Sequence, residues 1–587
     1  MASAVLDRIP GGYRLFAAAV WLSRRPRLEW RASPLRHLLA SGPRPDGLAA
    51  APKDLRPADP EAGRRILAGG FVFGGETLAT GARGDPWDRP SPSERFAAAL
   101  HGFDWLRDLT AHGDPGAWEA LRLTLAWRRL FGRWNRFSWD PPILERRVYN
   151  LACALQAVSG PASDAEAEQV AQDLARQARL LLAINDGPAR ASERVVAAAV
   201  AGAALGGAAG ERLLDRALAR LAQVLPQTVT PDGGHTSRNP QAALELFFDL
   251  STLDEALVQR GIAAPDEMMR AIDRLAGAVR FFTLADGRLA AFQGGEALAP
   301  AYVAAARAQD ETGDREIPVA RNGYHRLEAR ALQVMADAAA PAQGPWSEAA
   351  CAQPLAIEVL AGGRRLIVGS GWSVGAPGAQ ALRLVDGAST AAVSDAACGQ
   401  PLSGFAARVL GPRLRGVYAV TEATRHEAPG ALWLEMAHDG WVRPFGLRHE
   451  RRLYVDREAD ELRGEDRLVP LASRRGAEGR RFVPFVVRFH LHPQVSALIA
   501  RDRKSVLLKA EGEETGWWLR NDALDVALEP SPHHQDGQTR IGQQIVLRGQ
   551  ARLDDGARVR WKLSSAAQER ADARDGTAAV DEAPAPA

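Results

Sequence analysis

Residues 450–468 read ERRLYVDREADELRGEDRL. Apolar and polar residues alternate or fall in short apolar runs, broken by Asp and Gly, which is the pattern of strands joined by tight turns. The pattern recurs on both sides, in RRLIVGSGW (364–372), ALWLEMAHDGW (431–441), VPFVVRFHLH (483–492), SVLLKA (505–510) and IGQQIVLRG (541–549). Many strands at short intervals, with no helical segment between them, predict an antiparallel sandwich.

Upstream of about residue 320 the period changes. From Ser91 to about Asp286 the chain is rich in Ala, Leu and Arg, and its apolar residues recur at helical spacing. In 264–284, Pro265 suits a first helical turn and Asp266 and Glu267 suit the positive helix end. Met268, Ile272, Leu275, Val279 and Phe282 then share one face. Segments 165–182, 190–204 and 211–224 behave alike, with Gly, Pro, Asp and Asn in the connections. The expectation is a helical array ahead of the sandwich, an α+β multidomain chain. Its parts are a partly irregular arm (1–90), a helical domain (91–320), a β domain (321–565) and a disordered tail (566–587) too polar to form much core.

Composition limits the function. A chain of 587 residues with 46% hydrophobic and 25% charged residues is neither wholly disordered nor collagen-like. Its 73 basic and 71 acidic residues leave a net charge of +2, which argues against a polycation that coats nucleic acid. Cys153, Cys351 and Cys398 show no CxxC spacing, so neither a disulfide framework nor a multi-Cys zinc site is predicted. The apolar run 15–22 is too short to span a bilayer. Arg14 precedes it, and Arg24, Arg25 and Arg27 follow. With no long apolar region and no small-residue cleavage site, it reads as an amphipathic helix rather than a secretory signal. Twelve His and six Tyr make a short list from which any acid–base apparatus must be drawn.

Several phrases, in order, carry a family resemblance: LHGFDWLRDL (100–109), PDGGHTSRNP (231–240), GYHRLEA (323–329), LAIEVLAGGRRLIVGSG (355–371), HDGWVRPFGLRHERRL (438–453), LRGEDRL (462–468) and RFHLHP (488–493). Over about residues 60 to 565 the chain resembles the heparinase II/III-like family, in a bacterial branch of uncharacterised members. The resemblance implies an incomplete (α/α) toroid followed by an antiparallel β-sandwich. It also implies a polysaccharide lyase that cleaves uronate-containing chains by β-elimination in a cleft between the domains. The implied partner is an acidic polysaccharide or oligosaccharide, with no nucleic acid and no transmembrane segment; the oligomeric state is left open. The substrate class points to the cell envelope or periplasm, whereas the missing signal pattern, at face value, points to the cytoplasm.

β-Elimination makes specific demands. A cation or a neutral donor must reduce the charge on the substrate carboxylate as an enolate-like state builds. A Tyr or His must take the poorly acidic α-proton, and one such group must protonate the leaving oxygen. Arg side chains hold the remaining anionic groups. The family's loop that neutralises the carboxylate corresponds here to His235 and Asn239, although Asn before Pro240 is also ordinary helix-start chemistry. Candidates for the base are Tyr302 and Tyr324, either of which would serve equally as a buried Tyr. His438 is a candidate acid or a strand-end residue beside an Asp-Gly turn. Arg238, Arg326, Arg443 and Arg448 are candidate substrate-binding residues. His490 and His492 share a strand face and are expected to pack.

One strand departs from the family. Where characterised members carry a His-Ala-His-Ala-Asp run, this chain reads ACAQPLAIE (350–358), so that Ala349 and Cys351 stand at the His positions and Gln353 at the Asp. Val393 stands at a later His. Zinc, bound in some members, therefore loses its expected ligands, and no cofactor is predicted. Cys351 reads as a soft ligand, a nucleophile or a small buried thiol. Two functions follow: a carbohydrate lyase, or a catalytically impaired saccharide-binding or envelope module of the same fold.

Overall fold

The computed structural model describes residues 6, 7, 9, 11–33, 42–311, 316–374, 380–471 and 482–567. The expected tail, 566–587, lies outside them but for its first two residues.

Helix starts follow local chemistry. Ser163 and Glu166 form a reciprocal capping box at the helix Asp164–Leu182, and Ser93 caps Glu94–Gly102 through the Phe96 N–H. Asn239 caps Pro240–Gln259, with Pro240 at the first helical position where its missing N–H costs nothing. Pro265 stands one residue earlier than expected, as the extended residue before the helix Asp266–Phe282. The helix Ala191–Ala204 lies at the centre of the array, built almost entirely of buried Ala, Val and Gly, and packs on Pro141–Ser159, Asp164–Leu182, Gly207–Thr228 and Pro240–Gln259. Small side chains permit this crowding. A Cβ on Gly202 would lie 2.7 Å from the Leu214 backbone nitrogen.

After the short hairpin of Gly70–Phe73 and Glu76–Ala79, strands resume at Ala320. Among the described residues two large antiparallel sheets form there, one of eight strands and one of nine, beside the small pairing of Gln400–Pro401 with Leu414–Arg415. The eight-stranded sheet holds the hairpin Leu447–Asp456 and Glu461–Pro470, with Asp456 opposite Glu461 across the turn. Inward and outward residues alternate along Leu447–Asp456, as period-2 patterning requires. At Gly464 a Cβ would sit 2.1 Å from the Trp561 ring, so only glycine fits.

The nine-stranded sheet differs. Its strands Leu332–Asp337 and Ile357–Ala361 are buried at every residue, because both faces are covered. Val334, Ala336, Ile357 and Val359 belong to the sandwich core, whereas Tyr324, Met335 and Leu360 belong to the core of the helical domain. The fold is an incomplete (α/α) toroid whose apolar interior continues onto the outer face of an antiparallel β-sandwich.

The helix Gly12–Ala32 lies apart from the toroid core. Tyr13, Ala17 and Val20 pack on Leu402, Ala406, Val409 and Leu410 of the β half, and Arg24 donates to the Val409 carbonyl. Its opposite side exposes Leu15 and Leu22, 68% and 60% accessible.

Candidate functional site

The loop 231–239 and the start of the strand Tyr324–Glu328 meet at the domain junction, so His235, Arg238, Asn239 and Tyr324 share one neighbourhood. Each is engaged there. Arg238, in the left-handed region at φ 61°, donates to the Asp337 carboxylate at 2.6 Å and to the Asn322, Ala339 and Ala340 carbonyls. Its guanidinium lies 4.6 Å from the Tyr324 ring centroid. The Tyr324 hydroxyl, fully buried, donates to the Arg238 carbonyl at 2.7 Å, and burial raises its pKa well above the ordinary phenol value. Asn239 Oδ1 accepts from the Gln241 and Ala242 N–H groups.

His235 is buried beside Trp346, with Nδ1 accepting from the Ser237 N–H and Nε2 directed towards Glu193 at 3.8 Å. No described residue hydrogen-bonds His235 Nε2, Glu193 Oε2 or Glu145 Oε2. The two carboxyls have opposite tendencies. Burial raises Glu145 against the pull of Arg190; at Glu193 burial is outweighed, and His235 and Arg190 hold the carboxyl down at about 2. His235 is therefore buried against Glu193, one of two carboxyls that share Arg190, with little of its ring left to meet a substrate.

Gln293, which the sequence reading passed over, ties the two domains. It sits at φ 50°, and its amide donates to Asp337 at 2.9 Å while its carbonyl accepts from the Cys351 N–H at 2.9 Å. Arg365 adds a second tie, bonding Asp286 at 2.6 Å and Glu358 at 3.2 Å. Cys351 is 2% exposed, and burial pushes its thiol up to about 12, which makes it a poor nucleophile or soft ligand. With Gln353 donating to the Leu382 carbonyl and Val393 packed in a strand, these positions do not fit zinc. Among the described residues no group of three His, Cys, Asp or Glu side chains is arranged to hold a metal.

The other expected residues lie elsewhere. Tyr302 donates to Glu245 inside the toroid, within a network of Asp54, Arg56, Arg107 and Asp249; burial and then Glu245 raise its pKa. His438 is in the sandwich interior. Strand register sets it opposite His449, and Arg451 opposite Asp466, giving a buried chain from His438 to His449 (3.0 Å) to Asp466 (2.8 Å). Arg451 and Trp561 also donate to Asp466. Burial lowers both imidazoles, which stay neutral. Arg326, in the middle of its strand, donates to the Phe281 and Thr283 carbonyls. Arg443 is exposed, and Arg448 pairs with Glu450. His490 bonds Ser531 and His492 bonds Gln535. Asp337 and Asp466, which anchor these networks, carried no sequence signal beyond an acidic residue in a strand.

A toroid packed on a two-sheet sandwich defines a class of protein built like the polysaccharide lyases. The C-terminal region of the heparinase II/III-like family matches residues 314–562. Solved structures agree in fold: heparinase III, with a TM-score of 0.61 and 12% identity over 83% of this chain and 80% of that one, and a mutant of the heparan sulfate lyase HepC from Pedobacter heparinus, with 0.56 and 13% over 90% and 87%. The chain belongs to the heparinase II/III-like family. Within it, the chain is 51% identical over 562 residues to FtsZ-localized protein C of Caulobacter vibrioides, covering 95% of this chain and 97% of the relative.

Proposed function

We propose that this protein is a lyase-fold adaptor that associates with FtsZ at a membrane surface rather than a uronate lyase. The observation that carries the reading is the engagement of Tyr324 with Arg238, and of Arg238 and Asn239 with Asp337 and the backbone, beside a buried His235. A base must be reachable by the α-proton. The Tyr324 hydroxyl instead holds the Arg238 carbonyl. The relative named for FtsZ localisation supports the choice of partner. The membrane part rests on the helix Gly12–Ala32, whose outer side presents Leu15 and Leu22 near Arg14 and Arg25, the make-up of a helix that lies on an anionic bilayer. No helix among the described residues is long and apolar enough to cross one.

Co-sedimentation with FtsZ filaments, run beside ultraviolet assays for unsaturated ends on a panel of uronate polymers, tests the reading. Pelleting with filaments and no turnover is expected. Turnover that Tyr324→Phe abolishes would establish the lyase instead.

A further inference from the structure

A second basin opens at the other end of the strand Tyr324–Glu328, where the toroid's last helices meet two hairpin turns of the nine-stranded sheet. It encloses about 660 Å³ and is lined by Arg280, Arg307, Arg326 and Arg330. That volume is in the range of small-molecule sites. The four guanidinium groups come from four different elements. Arg280 stands in the last turn of Asp266–Phe282, Arg307 ends Pro300–Arg307, Arg326 is in the strand, and Arg330 is in the turn that follows it. Glu328 is the acidic residue among the lining, and it is already bonded by Arg326 and Gln333.

The basin is partly preorganised. Arg326 is fixed by the Phe281 and Thr283 carbonyls, and Arg280 by Asp310. The Gln333 side chain bonds the Ala285 N–H and so pins the toroid loop to the sheet. Arg307 and Arg330 are exposed, and no ion pair joins either to another described residue. A Cβ built on Gly362 or Gly363 at the rim meets nothing within 4 Å, so the basin is open there. Two fixed cations and two exposed ones around a small-molecule volume suit a ligand with at least two oxyanion groups, each offering the planar or tetrahedral oxygens that guanidinium binds in pairs.

We infer that this basin binds a compact polyanion carrying two or more phosphate or carboxylate groups, and that the ligand bridges toroid and sandwich. The inference is independent of the FtsZ and membrane reading, since it uses neither the N-terminal helix nor the His235 junction. Isothermal titration of the full chain at constant ionic strength, with pyrophosphate and with citrate as probes, tests it. Saturable one-to-one binding of at least one probe is expected. Tighter pyrophosphate points to a phosphate ligand and tighter citrate to a carboxylate one. The Arg307→Ala/Arg330→Ala double variant changes only exposed side chains, and it should bind at least tenfold more weakly with an unchanged circular dichroism spectrum. Arg501→Ala, exposed and remote from the basin, should bind like the parent. No saturable binding of either probe, undiminished binding by the double variant, or an equal loss in Arg501→Ala would each overturn the inference.

Discussion

Removing the Arg238 guanidinium strands the Asp337 carboxylate, which is 1% exposed, without its cation. Breaking a buried pair in this way costs about 3–5 kcal/mol, so Arg238→Ala should shift urea denaturation by that amount. A loss below about 1 kcal/mol, the range of surface pairs, would show that the junction is not held this way. Tyr324→Phe removes one hydroxyl bond and should cost about 1 kcal/mol. The sequence brought His235, Arg238, Asn239 and Tyr324 to one neighbourhood but not to their roles. A hydroxyl aimed at a substrate and one aimed at the Arg238 carbonyl have the same letter code, and only the backbone path decides between them. Gln293 and Asp337 were illegible because single polar residues in apolar surroundings carry no periodicity. His438 was misleading for a different reason: its partners, His449 and Asp466, become neighbours only through strand register.

Among the elements, Leu447–Asp456 was readable because one face is buried and the other is not, so the pattern has period two. Leu332–Asp337 was not picked out, since burial on both faces erases the alternation. Gly464 tests the packing of the readable strand. Gly464→Ala drives a methyl into the Trp561 ring and should cost about 1–3 kcal/mol, the usual penalty of overpacking; an unchanged denaturation midpoint would contradict that close approach. For the N-terminal helix, Leu15→Asp/Leu22→Asp leaves the packed side of Tyr13, Ala17 and Val20 intact. This variant should keep its helical content yet fail to float with vesicles containing anionic lipid. Equal flotation of parent and variant would remove the membrane from the proposed function.

Across the whole molecule, the shared core implies joint melting. The toroid interior runs onto Met335 and Leu360 of the sheet, and Arg238, Gln293 and Arg365 lock the boundary. Calorimetry should therefore show one transition; two resolved transitions would mean the junction is weaker than its contacts suggest. The pH dependence follows from buried imidazoles. Burial lowers His101 and His490 each to about 4, below the 6.5 of an unfolded chain. The unfolded state binds more protons between those values, so stability is full above about pH 6.5 and falls as pH drops towards 4. A thermal midpoint that stays flat across that window would show that these rings are not held neutral.

The contact between Arg24 and Val409 joins residues 385 positions apart. A ribosome adding roughly 5–20 residues per second needs on the order of a minute or less to make that stretch. Throughout that interval the N-terminal helix has no β half to pack on, and both its apolar sides are uncovered. If the helix binds a bilayer as proposed, the bilayer can reach it before its own protein does, and the nascent chain would be delivered to the surface while the rest is still being translated.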